Sequence, residues 1–203
     1  GSTIGTGVFG TAMNCTGTAT LENVTVTGAT ADILFSFTGA CDLTLNNVII
    51  TGNTITNSGD ILGGGGTSSV RFINVTVSTN TGRARIYSYS PAIYATDSTF
   101  PSDLMTGGGA LVLAGDNTAG RVRVSIDRDG DNGKIVFTPG SITRVSSVET
   151  YTHTHYYVGT YTPGETYPGT GTVNVDGNAT VVISGDTHTI AGSGATIESM
   201  FID

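Results

Sequence analysis

The chain has 203 residues, of which only 12% are charged and 30 are glycine, and its formal net charge at pH 7 is −8. A hydrophobic fraction of 37% argues against disorder, and a net-acidic chain without a basic cluster argues against nucleic-acid binding. Because no run of 18 apolar residues occurs, we expect no membrane insertion. The excess of β-branched residues over helix formers favours a β-rich fold.

A ten-residue pattern recurs four times in the first half of the chain. Its copies are ATLENVTVTG at 19–28, LTLNNVIITG at 43–52, VRFINVTVST at 70–79 and, in degraded form, IYATDSTFPS at 93–102. A second apolar patch precedes each copy, as in ADIL at 31–34 and GDIL at 59–62. Short β-rich runs that recur every 23 to 28 residues indicate a solenoid whose turns stack side by side.

Stacked turns place equivalent residues above one another, about 4.8 Å apart. Asn23, Asn47, Asn74 and Asp97 then form one column, in which each amide can satisfy its neighbours. We expect this polar ladder to lie inside the solenoid. The aliphatic residues that follow each ladder position continue into the next face of the coil.

With its asparagine ladder and stacked aliphatics, the chain resembles the pectate-lyase-like right-handed parallel β-helix superfamily. The resemblance covers residues 5 to 105 and is one of fold, without an enzyme motif. It implies an all-β fold, a single-stranded parallel β-helix solenoid with an irregular β C-terminal part. We expect regular coils over residues 1–106, and irregular coils or a β cap over 107–203 in the same folding unit.

The two cysteines, Cys15 and Cys41, are 26 residues apart, which is about one repeat. Adjacent coils would therefore bring them within the usual Cα spacing of a disulfide, and two stacked free thiols are the alternative. A disulfide would persist in an extracellular, cell-surface or virion-exposed setting, which the Thr-rich and Lys-poor surface also favours.

The pattern becomes irregular after Gly107. ALVL at 110–113, RVRVSID at 121–127 and KIVFTP at 134–139 are predicted strands, and DRDGDNG between the last two is a predicted hairpin-like loop. The segment from 172 onward predicts either one or two more coils or a small antiparallel cap. A cap is expected somewhere, because an open end coil offers unpaired backbone to another strand.

Two short motifs suggest metal ligands. Asp127, Asp129 and Asp131 alternate in a Gly-containing loop and are calcium candidates, with a solvated turn as the alternative. His153 and His155 lie two residues apart on one strand face and could bind a transition metal if symmetry supplied further ligands. Apart from possible Ca²⁺, we expect no cofactor.

Two groups of residues suit contact with a surface glycan. Guanidinium pairs bind acidic sugars bidentately, although they can equally neutralise nearby acids of the chain, and tyrosine rings suit sugar or protein contacts. The candidates are Arg83, Arg85, Arg121, Arg123, Tyr156, Tyr157 and Tyr161.

The function that these features favour is structural or adhesive, as a β-helical subunit of a viral fibre or spike, an adhesin or a filament. Self-association as a trimer or filament is expected, and catalysis is not, because the acids are scattered and no Ser/His/Asp, P-loop or zinc spacing occurs. One alternative is a polysaccharide lyase or hydrolase that acts on an acidic glycan. The other is a β-sandwich pilin in which residues 1–14 would be the donated strand.

Overall fold

The structure is a computed structural model that describes the chain in twelve stretches. They are residues 2–4, 7–65, 69–88, 92–106, 110–127, 134–138, 140–145, 147–153, 172–176, 179–183, 186–190 and 193–197. Within these stretches the regular secondary structure is entirely β, with no helix. The described residues accordingly offer no helix of the length and apolar character needed to cross a membrane.

Twenty strands follow one another along the chain. They are β1 (Ser2–Ile4), β2 (Gly7–Glu22), β3 (Val24–Val26), β4 (Ala29–Asn46), β5 (Ile49–Thr51), β6 (Thr54–Gly65), β7 (Ser69–Ile73), β8 (Thr76–Ser78), β9 (Ile86–Ser88), β10 (Ala92–Thr96), β11 (Thr99–Thr106), β12 (Ala110–Ala114), β13 (Asp116–Asp127), β14 (Lys134–Phe137), β15 (Ile142–Val145), β16 (Ser147–His153), β17 (Thr172–Asp176), β18 (Ala179–Ile183), β19 (Asp186–Ile190) and β20 (Ser193–Ile197).

These strands wind as an all-β parallel solenoid of about four turns, which confirms the predicted fold class. Each turn crosses three faces. The first face consists of the opening halves of β2 and β4, then β6, β9, the ends of β11 and β13, and β16. The second consists of the closing halves of β2 and β4, then β7, β10, β12, β14 and β17. The third consists of β1, β3, β5, β8, the starts of β11 and β13, β15 and β18.

The interior is built from apolar columns because residues in parallel register stack turn upon turn. On the second face, one column runs through Leu21, Leu45, Phe72, Ala95 and Leu113. The last four are buried, and full burial of an aliphatic side chain contributes about 1.5–3 kcal/mol. Phe72 also meets Phe100 of the third face edge to face, with ring centroids 5.2 Å apart, so the columns of different faces interlock.

The winding does not stop at residue 106. Ile93 to Thr96 pair in parallel with Leu111 to Ala114, only 18 residues later. The same faces continue through β14, β15 and β16. The boundary predicted at 106/107 therefore marks a change in repeat length, and strand pairing is continuous across it.

The last strands reverse direction. β18 pairs with β19 and β17 pairs with β20, both antiparallel, after β17 and β18 have continued the parallel faces. The segment from 172 onward thus contains a further parallel layer followed by antiparallel strands, so both of the alternatives predicted for it are present.

Two expectations about local topology are wrong. β13 pairs in parallel with β11, β15 and β16, and β14 with β12 and β17, so the chain between them turns from one face to the next and is no hairpin. The β-sandwich alternative fails as well, because Ser2–Ile4 and Gly7–Glu22 are paired in parallel inside the solenoid of their own chain.

Candidate functional site

The predicted asparagine column lies at the corner between the second and third faces. Asn47 Nδ2 donates to Asn23 Oδ1 over 2.6 Å, and Asn74 Nδ2 donates to Asn47 Oδ1 over 3.1 Å. Asp97 occupies the same corner one turn later and accepts the Asp116 N–H over 2.8 Å. Positions chosen from the repeat therefore do stand one above another.

The column is outside the solenoid, which corrects the expected interior position. All four residues are exposed, and their φ angles of 50° to 55° are left-handed. Asparagine and aspartate tolerate this region better than other non-glycine residues. A single left-handed residue turns the chain, so the next side chain, such as Val24, Val48 or Val75, points inward. The amides were placed inside on the sequence because their role as corner residues was not recognised.

An interior asparagine column does exist, at the corner between the third and first faces. Asn53 is 1% exposed, and its Oδ1 accepts the Ala29 N–H over 3.0 Å. Its Nδ2 donates to the Val26 carbonyl over 3.0 Å and to Asn80 Oδ1 over 2.9 Å. Asn80 Nδ2 in turn donates to the Ile50 carbonyl over 2.9 Å. These side chains satisfy backbone groups that the turn leaves without strand partners.

Sequence analysis missed this inner pair although a signal was present. Asn53 and Asn80 each follow an outer-column asparagine, Asn47 or Asn74, by six residues. Two amides at a constant offset within the repeat indicate a second column.

A second buried polar link lies beneath the outer corner in later turns. Asn117 Oδ1 accepts the Ser98 N–H over 3.0 Å, and Asn117 Nδ2 donates to the Ala114 carbonyl over 2.6 Å. Ser98 Oγ accepts the Val75 N–H over 3.1 Å. The solenoid interior therefore holds neighbouring turns together with side-chain amides as well as with apolar columns.

On the first face, Arg85 forms a partly buried ion pair with Asp60. Arg85 Nη2 donates to Asp60 Oδ2 over 3.1 Å, and Arg85 Nε contacts Oδ1. The two side chains are 13% and 11% exposed. The Arg85 guanidinium also lies 4.6 Å from the Tyr87 ring centroid and against the Met105 sulfur. Arg85 is thus used within the chain.

Arg121 is paired in the same way. Its Nε and Nη2 donate to Asp103 Oδ1 and Oδ2 over 2.7 and 2.8 Å. The two remaining arginine candidates are placed by their backbone: Arg83 precedes β9, and Arg123 lies in β13 opposite Met105. For Arg85 and Arg121, neutralisation of nearby acids is the role that the geometry displays.

A different arginine is presented outward on the second face. Arg71 is exposed, its guanidinium lies 4.9 Å from the Tyr94 ring centroid, and its Nη1 donates to Ser69 Oγ over 2.9 Å. Ser69 Oγ donates to Asp42 Oδ1 over 2.5 Å. Ile73, 38% exposed, lies two residues along the same strand. We call Asp42, Ser69, Arg71, Ile73 and Tyr94 the outer patch, and it spans three turns.

Several predicted site residues lie outside the described stretches. They are Tyr156, Tyr157, Tyr161, Asp129, Asp131 and His155. Asp127 and His153 are described by backbone only and are register partners of β13 and β16, which brings the two candidate metal motifs to one edge of the first face. Among the described residues, no group of three or more His, Cys, Asp or Glu side chains could hold a metal ion.

Cys15 and Cys41 are joined by a disulfide, with their Cα atoms 5.8 Å apart. The bond links the first turn to the second. Beside it is a cavity of about 170 Å³, lined mainly by apolar side chains of these two turns. They are Met13, Cys15, Ala19, Leu21, Phe35 and Leu43.

The fold and this geometry define a protein of the parallel β-solenoid class. Comparison with known proteins gives no match to a protein-family profile, to a curated protein or to a solved structure.

Proposed function

We propose that the protein is a non-catalytic structural or adhesive rod, a subunit of an extracellular assembly such as a fibre, spike, adhesin or filament. The observation that carries the proposal is the unbroken parallel pairing of the second face, which runs through β2, β4, β7, β10, β12, β14 and β17. Such a continuous ladder makes a stiff, elongated body. We also propose membership of the pectate-lyase-like right-handed β-helix superfamily, which the stacked apolar columns support.

The use of polar groups supports a structural role. Asp60, Asp103 and Asp116 each pair with an arginine of the next turn, and the amides pair along the axis. The functional groups therefore serve cohesion between turns. The disulfide supports an extracellular or virion-exposed location, because such bonds persist in oxidising surroundings.

Sedimentation velocity of the purified protein tests the proposal directly. We expect an elongated trimer or polymer that resists limited proteolysis by trypsin over residues 7–106. A compact monomer that trypsin degrades within this range would contradict it. Incubation with polyuronates provides a second check, since a lyase would generate unsaturated ends and we expect none.

Glycan contact is a second element of the proposed function, and the outer patch is the surface that favours it. An exposed guanidinium held over a tyrosine ring, next to a carboxylate and an exposed isoleucine, offers a charged and an apolar contact side by side. Arg71→Gln should abolish binding to immobilised acidic glycans. Arg144→Gln, at an exposed ion pair on the third face, is the matched control and should leave binding unchanged.

A further inference from the structure

The first turn of the solenoid is an incompletely covered layer. β1 pairs in parallel with β3, with Ser2 opposite Val24 and Ile4 opposite Val26. β1 therefore occupies the third face of the layer above the first turn. Among the described strands, β2 pairs with β4 alone, so no described strand covers its other edge on the first and second faces. The end of the molecule is thus a step, raised at β1 and recessed along β2.

The recessed part exposes apolar side chains. Met13, Ala19 and Leu21 point into the interior but are only half-buried. Their register partners one turn below, Phe35, Leu43 and Leu45, are at most 3% exposed. The cavity of about 170 Å³ lies among these residues. A layer above β2 would bury them as β2 buries the second turn.

The polar column ends in the same place. Each outer asparagine donates its side-chain N–H to the amide of the preceding turn, from Asn74 to Asn47 and from Asn47 to Asn23. By this direction the Asn23 amide nitrogen faces the layer above β2. Backbone edge, apolar cavity and amide column all end at one surface.

The shape of the step decides what can fill it. The flat end of a second whole copy would meet β1 first and would remain one layer away from β2. A single extended segment fits beneath the level of β1. Its backbone must supply N–H and C=O groups in alternation, and its side chains must be apolar at every second residue to enter the cavity.

We propose that this step is a strand-acceptor site, where another subunit inserts an extended segment parallel to β2 from Met13 to Glu22. The donor's apolar residues stack on Met13, Cys15, Ala19 and Leu21, and its last residues abut the start of β1. The disulfide holds the acceptor turn on the turn beneath it, so the site is formed before the donor arrives. The proposal deepens the assembly role proposed above, and its peptide assay is independent of the oligomeric state.

A synthetic peptide with the sequence of residues 31–46, carrying C41S, is the probe. This segment already pairs with the opposite edge of β2 with the required alternation. Fluorescence anisotropy should show saturable binding to the intact disulfide-bonded protein. A peptide of the same composition with its alternation shifted by one residue should bind at least about tenfold more weakly, a difference of about 1.4 kcal/mol.

Matched variants locate the binding. Ala19→Lys places a charge at the cavity rim and should weaken peptide binding at least about tenfold. Thr20→Lys, next to it and outward-facing, should not change binding. Hydrogen exchange should show slower exchange of the amides of residues 17–22 when the peptide is bound, and Leu21→Lys should abolish this protection.

Three results would overturn the strand-acceptor proposal. They are absence of peptide binding, equal binding by the two peptides, and binding that Ala19→Lys leaves unchanged. Self-association that Ala19→Lys removes but the peptide does not compete would also overturn it, by showing that whole copies dock at this end. If the protein sediments as a monomer while the peptide binds, the assembly proposal fails and the acceptor site stands.

Discussion

The two corners of the solenoid use the same residue for opposite purposes. At the corner between the second and third faces, Asn23, Asn47 and Asn74 are exposed and left-handed, and they bond to one another. At the corner between the third and first faces, Asn53 is buried and bonds to backbone groups of neighbouring turns. The comparison teaches that a column of amides in a repeat is not evidence of burial. The outer column shapes the backbone, and the inner column satisfies it.

The largest effect should come from an inward-facing charge. Arg85→Met keeps side-chain length but leaves the Asp60 carboxylate largely buried without its partner, which should lower the free energy of unfolding by about 3–5 kcal/mol. Arg144→Met breaks an ion pair whose side chains are 45% and 54% exposed and should cost about 0–1 kcal/mol. Denaturant titration of both variants measures the difference, and equal losses would contradict the inward and outward distinction.

The inner asparagine column should rank second. Asn53→Ala leaves the Ala29 N–H and the Val26 carbonyl without their side-chain partner in the interior. A loss of about 2–4 kcal/mol in the free energy of unfolding is expected from two such groups. Hydrogen exchange at Ala29 should accelerate in the variant, and unchanged protection there would refute the assigned role.

Gly115 offers a test of backbone shape at the outer corner. Its φ is +66°, and a Cβ at this position would lie 2.2 Å from Asp97 Oδ1. Gly115→Ala should therefore cost about 1–3 kcal/mol through strain and displacement of the carboxylate. Gly39→Ala is a suitable control, since its φ is also positive at +81° but nothing lies within 4 Å of the added Cβ. If the two substitutions cost the same, crowding by Asp97 is irrelevant.

The smallest effect should come from the outer column itself. Asn47→Gly removes two exposed hydrogen bonds but relieves the left-handed strain, so the net change should be within about 1 kcal/mol. Asn47→Ala keeps the strain and should cost about 1 kcal/mol more than the glycine variant. Thermal denaturation distinguishes the pair, and a glycine variant that is less stable than the alanine variant would show that bonding outweighs shape.

The sequence was sufficient for the winding because stacked turns repeat their chemistry. Asn23, Asn47 and Asn74 were aligned correctly by spacing alone, and the single-turn separation of Cys15 from Cys41 predicted the disulfide seen in the structure. Spacing carries no information on which side of the backbone a residue faces at a corner. A single left-handed residue reverses that side, so the ladder was assigned to the wrong side of the wall.

The later turns were harder to recognise for a different reason. The interval between Thr96 and Ala114 is 18 residues, shorter than the earlier repeats, because the chain between the second-face strands is shorter. Leu111 and Leu113 nonetheless take the register positions of Ile93 and Ala95. The alternation survived while the period changed, so a search at fixed period ended near residue 106.

The outer patch was missed because its members come from different turns. Asp42, Arg71 and Tyr94 have no shared motif, and only the register of β4, β7 and β10 brings them together. Candidates chosen as local pairs, such as Arg83 with Arg85, favour residues that are close in the chain over residues that are close in space.

The antiparallel strands β19 and β20 differ from the open edge of β2 in one further respect. A reversed strand cannot pass the winding on, so the two termini of the rod are chemically distinct and the turns between them are interchangeable. Gene duplication or deletion of one central repeat would change the reach of the molecule by about 4.8 Å and leave both termini intact. Length can thereby evolve separately from attachment.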